Sequence, residues 1–226
     1  MKAKQLIYPL AAAVIFLAGM IAAEQILSPP YAVKSAVKVI LILLLTGIGM
    51  KLSGKDWKTC IRFRKMQHPA ALIAIMIAVI PAVLLGFYLL RDQLDLPAIR
   101  QGLMEKEQLT KQNCLFVFAY IALCNSFLEE AFFRGFLTES FRSAGLKKSG
   151  AAISALAFAV YHLGIVDSWL SLPMLLLCIL LLWGAGAFLQ WICVRFASLK
   201  ASWLVHACAN LAINAVGILL IFFCEP

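Results

Sequence analysis

Long apolar runs separated by short polar segments dominate this chain. Runs long enough for a helix to cross a bilayer, which takes about 20 residues, recur along its whole length. They lie at residues 6–27, 36–52, 69–90, 113–139, 151–166, 172–195 and 201–223. The pattern predicts an all-α fold, a polytopic membrane helical bundle of about seven transmembrane helices. Because no repeat or change in composition divides the chain, we expect residues 1–226 to form a single membrane-embedded domain.

Composition and charge support a membrane protein and argue against nucleic-acid binding. Apolar residues make up 63% of the chain and charged residues 14%, whereas soluble domains are about 45–50% apolar and about 25% charged. The net charge of +9 is compatible with nucleic acid or with a membrane surface. Since the basic residues lie in short loops between apolar runs, we expect the lipid bilayer as a partner and no nucleic acid.

The distribution of Lys and Arg also predicts the orientation of the chain. With a cytoplasmic N-terminus, most of the basic residues fall in cytoplasmic segments, and the densest group lies within residues 51–65. Cytoplasmic loops of membrane proteins carry an excess of Lys and Arg. We therefore expect a multi-pass protein of the cell membrane, with its N-terminus in the cytoplasm and its C-terminus outside.

Three charged residues interrupt the fourth apolar run: Glu129, Glu130 and Arg134. A charge near the bilayer centre costs about 2.5–3.5 kcal/mol on insertion scales, so such residues normally face a protein interior or a watery cavity. On a helix, Glu130 and Arg134 are four residues apart and share a face, while Glu129 points about 100° away. One carboxylate can therefore be structural while the other stays free for chemistry. The alternative is a solvated salt bridge at a cytoplasmic helix end.

Two histidines lie at a similar depth in other predicted helices. His162 is in the fifth run, and His206 and Asn210, four residues apart and so on one face, are in the seventh. With the predicted orientation and a rise of about 1.5 Å per residue, these residues and Glu129 lie about 9–16 Å from the cytoplasmic ends of their helices. The sequence thus predicts one polar site in the cytoplasmic half of the bundle.

The residue types of this site suit hydrolysis. A buried carboxylate beside a histidine can act as a general base on water, and a histidine together with an asparagine amide can donate hydrogen bonds to an oxyanion. A Ser or Cys nucleophile has no positive support at the observed spacings. We expect no cofactor. A divalent metal such as zinc is the less favoured alternative, because H-E-x-x-H is absent and the ligands would come singly from separate helices.

Three motifs, in order on three predicted helices, resemble those of the CAAX-protease and bacteriocin-processing (Abi, CPBP) family of glutamic-type intramembrane proteases. They are E-E-x-x-x-R at Glu129–Arg134, F-x-x-x-H at Phe158–His162 and H-x-x-x-N at His206–Asn210. The resemblance covers roughly residues 113–215 and implies a family-like catalytic core there.

The resemblance also implies roles for these residues. Glu129 would activate the hydrolytic water together with His162, and His206 and Asn210 would form the oxyanion site. Glu130 and Arg134 would support the site structurally. It likewise favours a glutamate mechanism over a metal-dependent one.

We therefore expect an intramembrane endopeptidase that hydrolyses a peptide bond of a membrane-associated protein or peptide. One alternative is a non-proteolytic membrane scaffold or peptide-immunity protein of the same family, in which the polar cluster only packs the helices. Another is a small proton-coupled transporter, since intramembrane acids and histidines also form proton relays. The transporter is disfavoured because no inverted repeat is visible in the sequence.

Overall fold

The computed structural model describes residues 2–166 and 170–223, and every regular element in these two ranges is a helix. The helices are α1 (Lys2–Ile21), α2 (Tyr31–Ser53), α3 (Trp57–Cys60), α4 (Pro69–Leu90), α5 (Leu96–Gln101), α6 (Cys114–Ser143), α7 (Lys147–Val166), α8 (Leu172–Arg195) and α9 (Leu199–Phe223). Short π-helical or 3₁₀ turns extend α1, α4 and α5, at Ala22–Leu27, Arg91–Gln93 and Gly102–Lys106 respectively.

Six helices within the described residues are long and apolar enough to cross a membrane. These candidate spans are Leu6–Leu27, Tyr31–Ser53, Pro69–Gln93, Cys114–Ser143, Leu172–Arg195 and Leu199–Phe223. The prediction of an all-α polytopic bundle is therefore confirmed, and the chain is a multi-pass membrane protein. The predicted fifth span is present as the 20-residue helix α7 but is not among these six. Small buried residues, among them Ala155 and Ala159, let α7 pack closely against its neighbours inside the bundle.

Helix α2 begins five residues earlier than the pattern of apolar residues predicts. It starts at Tyr31, directly after Pro30, and so includes Lys34. The predicted start at residue 36 is wrong because Lys34 is not solvated. Its Nζ lies 2.8 Å from Glu24 Oε2 and 2.7 Å from Glu107 Oε1. All three side chains are buried, and this ion pairing lets a cation lie within an otherwise apolar helix.

Helix α6 is not a regular α-helix along its length. Its α-helical parts are separated by two π-helical turns, Ile121–Asn125 and Ala131–Leu137. The segment Ser126–Glu130, which carries both carboxylates, is the short α-helical stretch between them. Each π-helical turn changes the angle at which the following side chains leave the helix, and such turns are frequent at functional sites.

An aromatic core surrounds the part of α6 that follows the carboxylates. Phe16 of α1 packs against Phe132 and Phe133 of α6, with ring centres 4.6 and 5.7 Å apart. Tyr161 of α7 lies 5.5 Å from the Phe16 ring. These rings are fully or almost fully buried, and close packing of side chains is a main force that holds membrane helices together. They therefore fix α1, α6 and α7 around the carboxylates.

The basic segment after α2 packs against α6 as a loop with one short helix. Within residues 54–68 only α3 is helical. A Cβ added at Gly135 of α6 would lie 2.6 Å from the carbonyl oxygen of Cys60. The same segment accepts a hydrogen bond at Arg62 from the Leu199 amide of α9, at 3.1 Å. It therefore connects the C-terminal part of α6 with the start of α9.

Candidate active site

Two adjacent carboxylates of α6 form the centre of the candidate site. Glu129 and Glu130 are 1% and 0% exposed. They point to different neighbours, as the helical geometry predicts: Glu130 towards α9 and Arg134, and Glu129 towards α2. Buried carboxylates are stable only when they are paired and hydrogen-bonded, so their partners define the chemistry that each can perform.

Glu130 is held by two cationic or hydrogen-bonding groups on one oxygen. Its Oε1 lies 2.9 Å from Arg134 Nη1, one turn along α6, and 3.0 Å from His206 Nδ1 of α9. Arg134 also donates from Nη2 to the Gly186 carbonyl of α8 at 3.1 Å, and its guanidinium lies over the Phe158 ring at 4.3 Å. Glu130 and Arg134 thus connect α6 with α7, α8 and α9, an arrangement that suits structural support of the site.

Glu129 is bound by a different set of side chains. Its Oε1 accepts a hydrogen bond from Asn125 Nδ2 at 2.7 Å and lies 3.4 Å from Lys38 Nζ of α2. Lys38 Nζ in turn donates to Asn125 Oδ1 at 2.6 Å. The second oxygen, Oε2, faces His206 Nε2 at 3.8 Å. One side of the carboxylate is therefore occupied, while the other faces an imidazole beyond direct hydrogen-bond distance.

The contact between His206 and Glu130 determines which imidazole nitrogen of His206 carries the hydrogen. An ionised carboxylate only accepts hydrogen bonds, so Nδ1 of His206 carries a hydrogen and donates it to Glu130. The opposite nitrogen, Nε2, is then the one presented to Glu129. This arrangement, in which a carboxylate orients the imidazole through one nitrogen and leaves the other for chemistry, is common at catalytic histidines.

His162 lies in the same region but makes a different contact. Its Nδ1 donates to the Phe158 carbonyl at 2.7 Å, which is its one hydrogen bond in the described part of the chain. The ring lies 4.5 Å from that of Phe158, and Phe158 also contacts His206 at 5.6 Å between ring centres. His162 is close enough to Glu129 for the two to interact electrostatically, and its Nε2 remains available.

Asn210 and Asn214 continue the face of α9 that carries His206. Asn210 Nδ2 donates to the Ile121 carbonyl at 3.2 Å, and Asn214 Nδ2 donates to the Phe118 carbonyl at 2.9 Å. Both acceptors lie in or beside the first π-helical turn of α6. These two amides therefore attach α9 to α6, and Asn210 retains a second amide hydrogen for another acceptor.

Comparison with known families identifies the part of the chain that carries these residues. Residues 111–212 match the family model described as type II CAAX prenyl endopeptidase Rce1-like. Over these residues, which make up less than half of the chain, it resembles this family. The family resemblance that the three motifs indicate is thereby confirmed, and the matched segment runs from just before α6 into α9. No curated protein and no solved structure matches the chain.

The Rce1-like segment contains all six predicted site residues: Glu129, Glu130, Arg134, His162, His206 and Asn210. The structure joins Glu130, Arg134 and His206 by direct contacts and places Glu129 beside His206. It does not connect His162 or Asn210 to a carboxylate by a hydrogen bond in the described part of the chain, because each donates to a backbone carbonyl instead.

Two residues that bind Glu129 are not among the sequence-predicted site residues, Lys38 and Asn125. Asn125 was predictable in principle, because it precedes Glu129 by one helical turn and so shares its face. Lys38 lies outside the Rce1-like segment and 91 residues before Glu129. The sequence feature that pointed to Lys38 was a cation inside an apolar helix. Such a cation requires a partner, but the sequence does not indicate which residue that partner is.

The geometry of the described residues gives no group of three or more His, Cys, Asp or Glu side chains arranged to hold a metal ion. Glu129 and His206 converge, but Glu130 and Lys38 already occupy the other atoms of these two side chains. The expectation that the site uses no metal therefore remains a prediction, which chelation can test.

Proposed function

We propose that the chain is an intramembrane endopeptidase in which Glu129 activates water to hydrolyse a peptide bond of a membrane-associated protein or peptide. The observation that carries the proposal is the position of Glu129 Oε2. This oxygen is the part of a fully buried carboxylate that faces His206 Nε2 at 3.8 Å, within a segment that matches a family of endopeptidases.

The reaction begins with a water held against Glu129 Oε2. A water molecule can contact two polar atoms 3.8 Å apart at about 2.8 Å each. Glu129 removes one proton as the water oxygen forms a bond to the substrate carbonyl carbon, and the carbonyl oxygen becomes an oxyanion. Transfer of that proton to the amide nitrogen then breaks the C–N bond, giving a carboxylate and an amine. General base catalysis of this kind contributes about 10²–10⁴-fold to the rate.

The two histidines and Asn210 have complementary roles in this proposal. His162 presents Nε2 as a second acceptor for the water, because its Nδ1 is bound to the Phe158 carbonyl. His206, when Nε2 also carries a hydrogen, and the second amide hydrogen of Asn210 donate to the oxyanion. Removing one such donor typically reduces kcat by about 10²–10³-fold. Glu130 and Arg134 keep His206 in its orientation.

The surroundings of the site favour a membrane-associated substrate. An open groove of about 540 Å³ lies between α2 and α6, lined by Tyr31, Ala32, Ser35, Ala36, Val39, Ile40, Phe116, Val117 and Tyr120. Its lining is mostly apolar, and Ser35 precedes Lys38 by about one helical turn. An apolar segment of a substrate fits such a surface better than a soluble polar peptide does.

A comparison of peptide N-termini tests the proposal directly. Membranes containing wild-type protein or Glu129→Gln are matched for expression and for thermal stability, and newly formed N-termini are identified by mass spectrometry. We expect N-termini that appear only with the wild type, which would identify the substrate. If both membranes give the same N-termini, the endopeptidase proposal fails, and a non-proteolytic scaffold of the same family becomes the better explanation.

A further inference from the structure

Lys38 is a buried cation that the proposed mechanism does not yet use. It belongs to α2, outside the Rce1-like segment, and its side chain is 7% exposed. Its Nζ lies 2.6 Å from Asn125 Oδ1, 3.4 Å from Glu129 Oε1 and 4.9 Å from the centre of the Tyr161 ring. A lysine in this position is costly to bury and requires such partners.

Lys38, Asn125 and Glu129 form a closed triangle of polar contacts. Asn125 accepts from Lys38 through Oδ1 and donates to Glu129 through Nδ2 at 2.7 Å. Asn125 and Lys38 bind the same oxygen of Glu129, Oε1. Because two donors on one oxygen resist rotation of the carboxylate about its last side-chain bond, Oε2 is held towards His206.

We propose that Lys38 is a positioning residue for the reacting carboxylate. With Asn125 it fixes Oε1 of Glu129, so that Oε2 is the oxygen that takes the proton from water. Lys38 touches neither water nor substrate in this arrangement and acts only through Glu129. The proposal rests on the endopeptidase function proposed above, and it adds a residue from a helix that the family match does not include.

Lys34 provides a matched control on the same helix. It lies one turn before Lys38, its side chain is 2% exposed, and it also binds carboxylates, those of Glu24 and Glu107. Neither of these carboxylates contacts Glu129. A purely structural role predicts that removal of either cation weakens the bundle and lowers activity together, whereas positioning predicts that only Lys38 affects the reactivity of Glu129.

The test uses N,N′-dicyclohexylcarbodiimide, an apolar reagent that modifies protonated carboxyl groups within membranes. The reagent is added to four proteins in detergent: the wild type, Lys38→Met, Lys38→Arg and Lys34→Met. Modification of each carboxyl group is followed by peptide mass spectrometry. A buried carboxylate that loses its cation is driven towards the neutral acid. We expect Glu129 to be modified about 10- to 100-fold faster in Lys38→Met, the range expected for the loss of a hydrogen bond between charged groups.

The control variants should separate positioning from structure. Lys38→Arg keeps the charge and should react at Glu129 almost as slowly as the wild type, while Lys34→Met should change modification of Glu24 and Glu107 alone. The rate at which Glu129-dependent N-termini appear in membranes should fall in Lys38→Met and not in Lys34→Met at equal thermal stability. If Lys38→Met does not fold, Lys38→Gln, which keeps a hydrogen-bond donor without the charge, replaces it.

Two results would overturn the proposal: equal modification of Glu129 in the wild type and in a folded Lys38→Met or Lys38→Gln variant, or an equal loss of cleavage in Lys34→Met. Failure of the endopeptidase function has a different signature. In that case no Glu129-dependent N-termini form even with the wild type, whereas carbodiimide modification still reports whether Lys38 controls the Glu129 carboxylate.

Discussion

Substitution of Glu130 with glutamine should mainly lower stability, whereas the same change at Glu129 should mainly abolish activity. Glu130→Gln removes the charge that binds Arg134 at 2.9 Å and His206 at 3.0 Å, and breaking a fully buried ion pair costs about 3–5 kcal/mol. Glu129→Gln keeps an oxygen for Asn125, and Lys38 keeps its contact with Asn125 Oδ1. Its cost should therefore be nearer to the value for a single charged hydrogen bond, about 1.5 kcal/mol.

Thermal unfolding of the purified proteins in detergent, followed by tryptophan fluorescence, measures the first effect. A change of 1 kcal/mol shifts Tm by about 2–4 °C in a chain of this length. Glu130→Gln should thus unfold about 6–20 °C below the wild type, and Glu129→Gln about 3–6 °C below it. The second measurement is cleavage in membranes at a temperature where both variants remain folded, where only Glu129→Gln should be inactive.

Equal Tm values for the two variants would show that Glu130 is not the structural carboxylate. A folded Glu130→Gln variant that is as inactive as Glu129→Gln would contradict the separation of roles. His206 would in that case depend on the charge of Glu130 for the reaction itself, and not only for its orientation.

Three further predictions concern packing, thiol reactivity and metal dependence. Gly135→Ala places a Cβ 2.6 Å from the Cys60 carbonyl oxygen and should lower Tm. Gly86→Ala adds a Cβ with no atom within 4 Å and should raise Tm slightly. The reverse order of Tm values would contradict the packing of α6 on the 57–62 segment. Burial raises the pKa of the Cys60 thiol to about 12. Since only thiolates are alkylated, iodoacetamide at pH 8 should modify Cys60 after denaturation and not in the folded protein; rapid modification when folded would contradict this. Chelation with 1,10-phenanthroline should leave Glu129-dependent cleavage unchanged, and its loss with recovery on adding zinc would establish a metal-dependent reaction.

Much of the helical architecture could be predicted from the apolar runs because lipid requires helices to satisfy their own backbone groups. The predicted run 69–90 coincides with α4 and 172–195 with α8. The start of α2 was wrong because hydropathy treats Lys34 as a solvated residue, whereas two distant carboxylates neutralise it. Periodicity cannot reveal a partner that is far away in the sequence.

The same reason limits what could be predicted of the site. The i,i+4 spacing of Glu130 and Arg134 indicated that the two residues share a helix face, and they form an ion pair there. The contact of His206 with Glu130 depends on how α9 packs against α6 and on the π-helical turns that rotate the carboxylates. Spacing along one helix does not contain that information. Which histidine contacts which carboxylate could therefore be learned only from the structure.

The buried lysines of α2 also have a consequence for the way the protein is made. A lysine in an inserting helix is unfavourable, by up to about 2.5–3.5 kcal/mol at the helix centre, and α2 carries two buried lysines within its first eight residues. Glu24, on the preceding helix, is synthesised in time to neutralise Lys34, so α1 and α2 can enter the bilayer as a hairpin. Glu129 follows Lys38 only 91 residues later. Lys38 of α2 can therefore contact Glu129 only after α6 has been synthesised and inserted. The contact between these two helices forms late in the assembly of the protein.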